Sequence, residues 1–112
     1  MVYQIEILSS ALQDVRNCYE FMTEYSPKNA RKWIDGLGAA FTSLTTMPKR
    51  CPIAPETDFI GFEVRCLVYL KYYRILYSID DELILIYHIR HTSQEFMSPE
   101  NSWISSVTLS LW

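Results

Sequence analysis

The apolar residues of this chain follow two periods. Between Ala11 and Met47 they recur at helical spacing, whereas from Glu63 to Ile89 they fall in short β-rich runs. A chain patterned in this way is constrained to an α+β fold, because each half has one apolar face to bury and the two faces must cover each other. With 112 residues, 49% of them apolar, there is material for one core and not for two ordinary domains.

Within that frame the elements can be placed. Tyr3, Ile5 and Ile7 alternate with Gln4, Glu6 and Leu8, which predicts a first strand with one buried face. Ser10 and Gln13 have the spacing of a capping box, and the stripe Ala11, Leu12, Val15, Cys18, Tyr19 and Met22 predicts a helix over about 11–24. Ser26-Pro27 is a second helix start, since Ser can accept from a free amide while Pro at the first helical position gives up no bond. The stripe Ala30, Trp33, Ile34, Leu37, Phe41, Leu44 and Met47 follows, with Lys28, Arg31, Lys32 and Asp35 on the other side. The two helices form a hairpin.

Pro48, Pro52 and Pro55 break any period between 48 and 61, so this segment reads as a loop crossing the surface. Three strands are then expected in EVRCLVYL, YYRILYSI and LILIYHI, with a turn at Asp80-Asp81-Glu82 and the simplest pairing a three-stranded antiparallel meander. The expected order is β-α-α-β-β-β, with the helices on one face of the sheet and the other face at least partly available. Residues 1–95 are read as the domain and 96–112 as an apolar tail carrying Trp103 and Trp112, expected to pack on the domain, a second copy or a partner.

Composition excludes several classes. A net charge of −3 argues against nucleic-acid binding through a broad basic surface. No apolar run approaches the roughly 20 residues of a membrane helix, and MVYQIEILSS lacks a basic region before its apolar residues, so a cytoplasmic protein without membrane contact is expected. Cys18, Cys51 and Cys66 are odd in number and never form CxxC, which suits reduced thiols better than disulfides or zinc. There is no Gly-rich phosphate loop, HExxH or GxSxG, and no cofactor is expected.

The candidate chemistry lies in the β-rich half. Arg65 shares a strand face with Leu67 and Tyr69, and Arg74 with Tyr72 and Leu76, so each offers fixed donors suited to phosphate or carboxylate. The structural alternative for each is packing of its stem or pairing with Glu63, Asp80, Asp81 or Glu82. The last strand ends in Tyr87-His88-Ile89-Arg90-His91, in which His88 and Arg90 share a face and His91 takes the opposite one unless the strand ends or bulges there. A metal-free ribonuclease would need a base, an acid and a cation, which His91 or His88 and Arg65, Arg74 or Arg90 could supply. His88 and His91 lack a clear third ligand beyond Glu95, so no metal is expected.

Taken together, YQIEILSSALQDV, SPKNARKWIDGL, MPKRCPIAPE, EVR at 63–65, YYRILYSI and LILIYHIRH resemble the RelE/ParE superfamily of toxins from type II toxin-antitoxin modules, from Tyr3 to about His91. The resemblance implies a compact toxin wrapped by a cognate antitoxin, as a homodimer or a heterotetramer with it. RelE-like members cut mRNA on the ribosome without metal, and ParE-like members inhibit DNA gyrase. On the RelE pattern, Arg65, Arg74 and His91 would be catalytic; on either pattern, Arg65, Arg74, His88 and Arg90 would form the binding surface. The acidic balance, the sparse Lys49-Arg50 pair in the helix-to-sheet loop and the absence of a Tyr after His91 favour the ParE-like branch. Gyrase inhibition is therefore the first expectation, with a ribosome-dependent endonuclease or a degenerate, non-toxic relative as alternatives.

Overall fold

The computed structural model describes residues 2–91. Strand β1 (Gln4–Ile7) leads into helices α1 (Ser9–Tyr25) and α2 (Pro27–Ser43); a 3-10 turn at Pro48–Arg50 and a short helix α3 (Thr57–Ile60) follow, then β2 (Arg65–Tyr69), β3 (Tyr73–Asp80) and β4 (Leu83–His91). The α+β class and the order β-α-α-β-β-β are those expected, with α3 added. The sheet order is β1-β4-β3-β2. The last three strands are the antiparallel meander, and β1 joins its β4 edge in parallel.

The helical hairpin owes its corner to Ser26, whose extended backbone lets its hydroxyl accept from the Asn29 amide at 3.3 Å while Pro27 opens α2. From α2 and its C-cap residue, Trp33, Leu37, Phe41 and Leu44 are buried against Ile75, Tyr77, Ile84 and Ile86 of the sheet. Complete burial of a side chain such as Leu44 contributes about 1.5–3 kcal/mol, so this stripe fixes the helices on the sheet. Gly36 marks the closest approach. The Tyr69 hydroxyl donates to the Trp33 carbonyl at 2.9 Å, and a Cβ at position 36 would collide with that hydroxyl.

Two expectations change. The 48–61 segment is more than a surface loop, since Cys51, Ala54 and Glu56 are buried. Ala54, together with Phe59 and Ile60, packs on Val64, Cys66, Leu76 and Tyr87 and makes a second, smaller core on the face away from the helical hairpin. Irregular backbone can be placed there because its polar groups are satisfied: the Thr57 hydroxyl both donates to the Val64 carbonyl and accepts from the Val64 amide, and the Ala54 amide donates to Val64. The face expected to be partly available is thus largely covered.

The capping box is also not used. Helix α1 begins at Ser9 with Leu8 as its uncapped boundary residue. The Ser10 hydroxyl donates instead to the Tyr87 carbonyl at 2.6 Å, and four residues on, Asp14 accepts from the Ile89 amide at 3.0 Å. The two residues share a helix side. Since β1 pairs with β4 only from Leu83 to Ile86, Ser10 and Asp14 supply partners that a strand would otherwise have provided further along that edge.

Candidate functional site

Cross-strand partners share a sheet face, so the register shows which candidates can meet. Arg65 lies opposite Tyr77, on the helix-facing side. Its guanidinium donates to the carbonyls of Lys49 at 3.1 Å and Cys51 at 2.7 Å and pairs with Glu63 at 3.0 Å. Beside it the Tyr77 hydroxyl donates to the Pro48 carbonyl at 2.6 Å. Arg65 therefore fastens the turn after α2 onto the sheet, and Glu63 is the partner the sequence offered.

Arg74 projects from the opposite face. It lies across from Val68 and Arg90, and its two terminal nitrogens donate to the two carboxylate oxygens of Glu56 at 2.9 and 3.0 Å. Glu56 is 0% exposed. Burial alone would push the Arg74 guanidinium down, but the hydrogen bonds and charge of Glu56, with Cys66 alongside, hold it above the ordinary arginine value. Arg90 shares this face, and burial pushes its pKa below the ordinary value; Asp14 opposes that shift while the neighbouring positive charge of Arg74 adds to it. Its Nε is buried without a hydrogen-bond partner among the described residues.

The two histidines have separate environments. His88 is buried and its Nδ1 lies 2.7 Å from the Asp14 carboxylate, which makes Nδ1 the proton-bearing nitrogen. His91 is exposed, stacked on Tyr72 at 6.2 Å and 8° and edge-on to Tyr73 at 5.3 Å. A β-bulge between Leu76 and Tyr77 resets the register before this end of β4. Arg90 and His91 then emerge on opposite faces, yet both line one groove of about 580 Å³ beside α1, with Asp14, Cys18, Phe21 and Met22. The groove runs along the β4 edge, where the two faces meet.

Arg65, Arg74 and His91 are not gathered at one point: on the helix side Arg65 lies across from Tyr77 and His91 across from Tyr73, with Arg65 on β2 and His91 on β4, and Arg74 lies on the other side. What the fold brings together is Arg74 with Glu56 and Arg90, and Arg90 with His91 at the groove. This architecture, from β1 through the end of β4, is what known proteins share with the chain. Residues 5–96 match the family described as ParE toxin of type II toxin-antitoxin system, parDE. The chain belongs to this family.

Among solved structures, the toxin resembles a chain of the RelBE2 toxin-antitoxin complex from Mycobacterium tuberculosis, with 21% identity and a TM-score of 0.54 over 81% of this chain and 99% of that one. At that identity the likeness concerns the fold. No curated protein sequence matches the toxin.

Sequence reasoning missed Glu56 and Asp14. Glu56 stands in a proline-rich stretch with no period to show that it points inward, and its signal was only its position in the APE run. Asp14 was legible through its four-residue spacing from Ser10, which places both on the side of α1 that meets β4. Among the described residues no helix is long and apolar enough to cross a membrane.

Proposed function

We propose that the toxin arrests growth by binding DNA gyrase in the cytoplasm and inhibiting it, and that a cognate antitoxin neutralises it by covering the surface used. The observation that carries this reading is the engagement of the candidate cations. Arg74 is held bidentately by buried Glu56, and Arg65 is held by two loop carbonyls and Glu63 on the other face. A metal-free ribonuclease requires a cation aimed at the reacting phosphate alongside an acid or base; neither Arg65 nor Arg74 offers that beside His91, and Arg90, which lines the groove with His91, emerges on the opposite sheet face. Net charge of −3 points the same way, since entry into an RNA-lined site favours basic proteins. We assign target contact to Arg90 and His91 at the end of β4. An antitoxin partner is in keeping with the family and with the solved complex that the fold resembles.

Purified toxin added to gyrase and relaxed plasmid should block supercoiling, and Arg90→Ala should relieve the block while its circular dichroism stays that of the parent. Unimpaired supercoiling at excess toxin would reject the reading. The second reading, ribosome-dependent mRNA cleavage, is favoured by one feature, the exposure of His91 between two tyrosines. It predicts new mRNA 5′ ends on expression, abolished by His91→Ala.

A further inference from the structure

The groove between α1 and the β4 edge poses a question that the toxin fold leaves open. Its apolar wall is formed by Phe21, Met22, Tyr73 and Ile89. Phe21 is 62% exposed and Tyr25, which packs on it with ring centroids 5.1 Å apart, is 75% exposed. Two tilted aromatic rings left in water forfeit the gain of burial, so the ridge is suited to a covering element.

We propose that the toxin's own C-terminal segment, residues 96–112, is that element. The described chain ends at His91, which itself lines the groove, so the segment starts at its rim. Four or five extended residues reach about 15 Å, enough to bring Phe96 and Met97 over Phe21. The segment is rich in apolar residues, with Phe96, Met97, Trp103, Ile104, Val107, Leu109, Leu111 and Trp112, and contains no Lys or Arg. Its only nearby charges, Glu95 and Glu100, are of the sign that suits the partly buried Arg90 of the groove wall. The family match stops at residue 96, so the segment lies beyond the matched domain. The covering concerns the isolated toxin and stands or falls independently of the gyrase reading.

The test uses the full-length toxin. Two of its three tryptophans, Trp103 and Trp112, lie in the segment, whereas Trp33 is buried in the domain core. Acrylamide quenching of tryptophan emission therefore reports largely on the segment, and the rate of Cys18 alkylation reports on the groove that Cys18 lines. Phe21→Asp is expected to raise the quenching constant about twofold and to accelerate Cys18 alkylation severalfold. Leu12→Asp, on another side of α1 and also exposed, is expected to change neither. Because both positions are exposed, both variants should retain the parent's circular dichroism; if Phe21→Asp does not, Tyr25→Asp provides the same readout. The proposal requires the parent's values to be the same at 1 μM and at 50 μM. Loss of protection on dilution would assign the groove to a second copy instead. Full quenching and rapid alkylation in the parent would leave it to the antitoxin or target, and either result overturns the proposal.

Discussion

The Glu56–Arg74 pair allows a demanding test of how the second face is held. Glu56 has no exposed surface, and Arg74 is 14% exposed at its side chain. Removing one member of a buried ion pair costs about 3–5 kcal/mol, because the remaining charge stays buried without compensation. The two single variants should differ. Glu56→Leu leaves a guanidinium that retains some contact with water, and about 3 kcal/mol is expected; Arg74→Met leaves a carboxylate with none, and about 4–5 kcal/mol is expected. Replacement of both by apolar residues of similar volume removes the desolvation cost with the attraction, so Glu56→Leu/Arg74→Met should lie within about 1 kcal/mol of the parent. The coupling across the cycle is then at least about 5 kcal/mol. Urea unfolding followed by circular dichroism measures all four proteins, with an unchanged m-value verifying that the denatured state is comparable. For a domain of this size, about 3 kcal/mol corresponds to a fall in Tm of at least about 10 °C. Single variants that each lose under about 1 kcal/mol, with coupling near that of an exposed pair, would refute the claim that this pair organises the 54–62 segment.

Further outcomes follow from single contacts. Gly36→Ala should destabilise by about 1–3 kcal/mol despite the better helix propensity of Ala, because the new Cβ meets the Tyr69 hydroxyl; Tyr69→Phe should recover part of the loss, and Gly38→Ala, which meets nothing, should be neutral or stabilising by about 0.5–1 kcal/mol in thermal melts. Asp14→Ala strips the acceptor from the Ile89 amide and from His88 and should cost about 2–3 kcal/mol, with faster hydrogen exchange at Ile89 as its specific signature. Alkaline pH should destabilise the domain. Burial raises the pKa of the Cys18 and Cys66 thiols and of the Tyr73, Tyr77 and Tyr87 phenols, so each contributes stability that is fully present below its unfolded-state pKa and is lost as pH rises towards the folded value. Titration at 295 nm should show these tyrosines ionising with unfolding; ionisation near pH 10 in a folded protein would contradict it.

The helices, most of their inward stripes and the meander were legible because each rests on a period that the residues carry locally, although Leu12 and Met47 of those stripes are exposed, and Ser26-Pro27 was legible because its capping chemistry is local too. The parallel pairing of β1 was not. Tyr3, Ile5 and Ile7 declare a buried face, but an alternation is the same for either direction and for any neighbour, so the choice of β4 is made by the tertiary fold. The capping expectation at Ser10 failed for a similar reason: the hydroxyl that would have served an α1 amide found a buried carbonyl of Tyr87, an acceptor 77 positions away in the chain. Arg74 shows the same limit at the candidate site. Its neighbours in sequence are the acids of the Asp80-Asp81-Glu82 turn, while its partner comes from the irregular segment between the helices and the sheet.

That partnership separates the two arginines that looked equivalent in the sequence. Arg65 and Arg74 each hold an irregular segment against the sheet, one on each face, and in both cases most of the guanidinium's donors are directed at the protein itself. Arg90 differs. Burial depresses its pKa, the charge of its cross-strand neighbour Arg74 adds to that shift, and it lines a groove together with His91. A cation in that setting gains more from meeting an incoming carboxylate than either of the other two, because its own field is less compensated. Replacement of Arg90 should therefore leave stability nearly unchanged and weaken binding, whereas replacement of Arg65 or Arg74 should lower stability first and binding only in consequence. A survey of the three alanine variants by urea midpoint and by affinity for gyrase or antitoxin distinguishes the roles: proportional losses in both quantities for all three would return Arg90 to the scaffold.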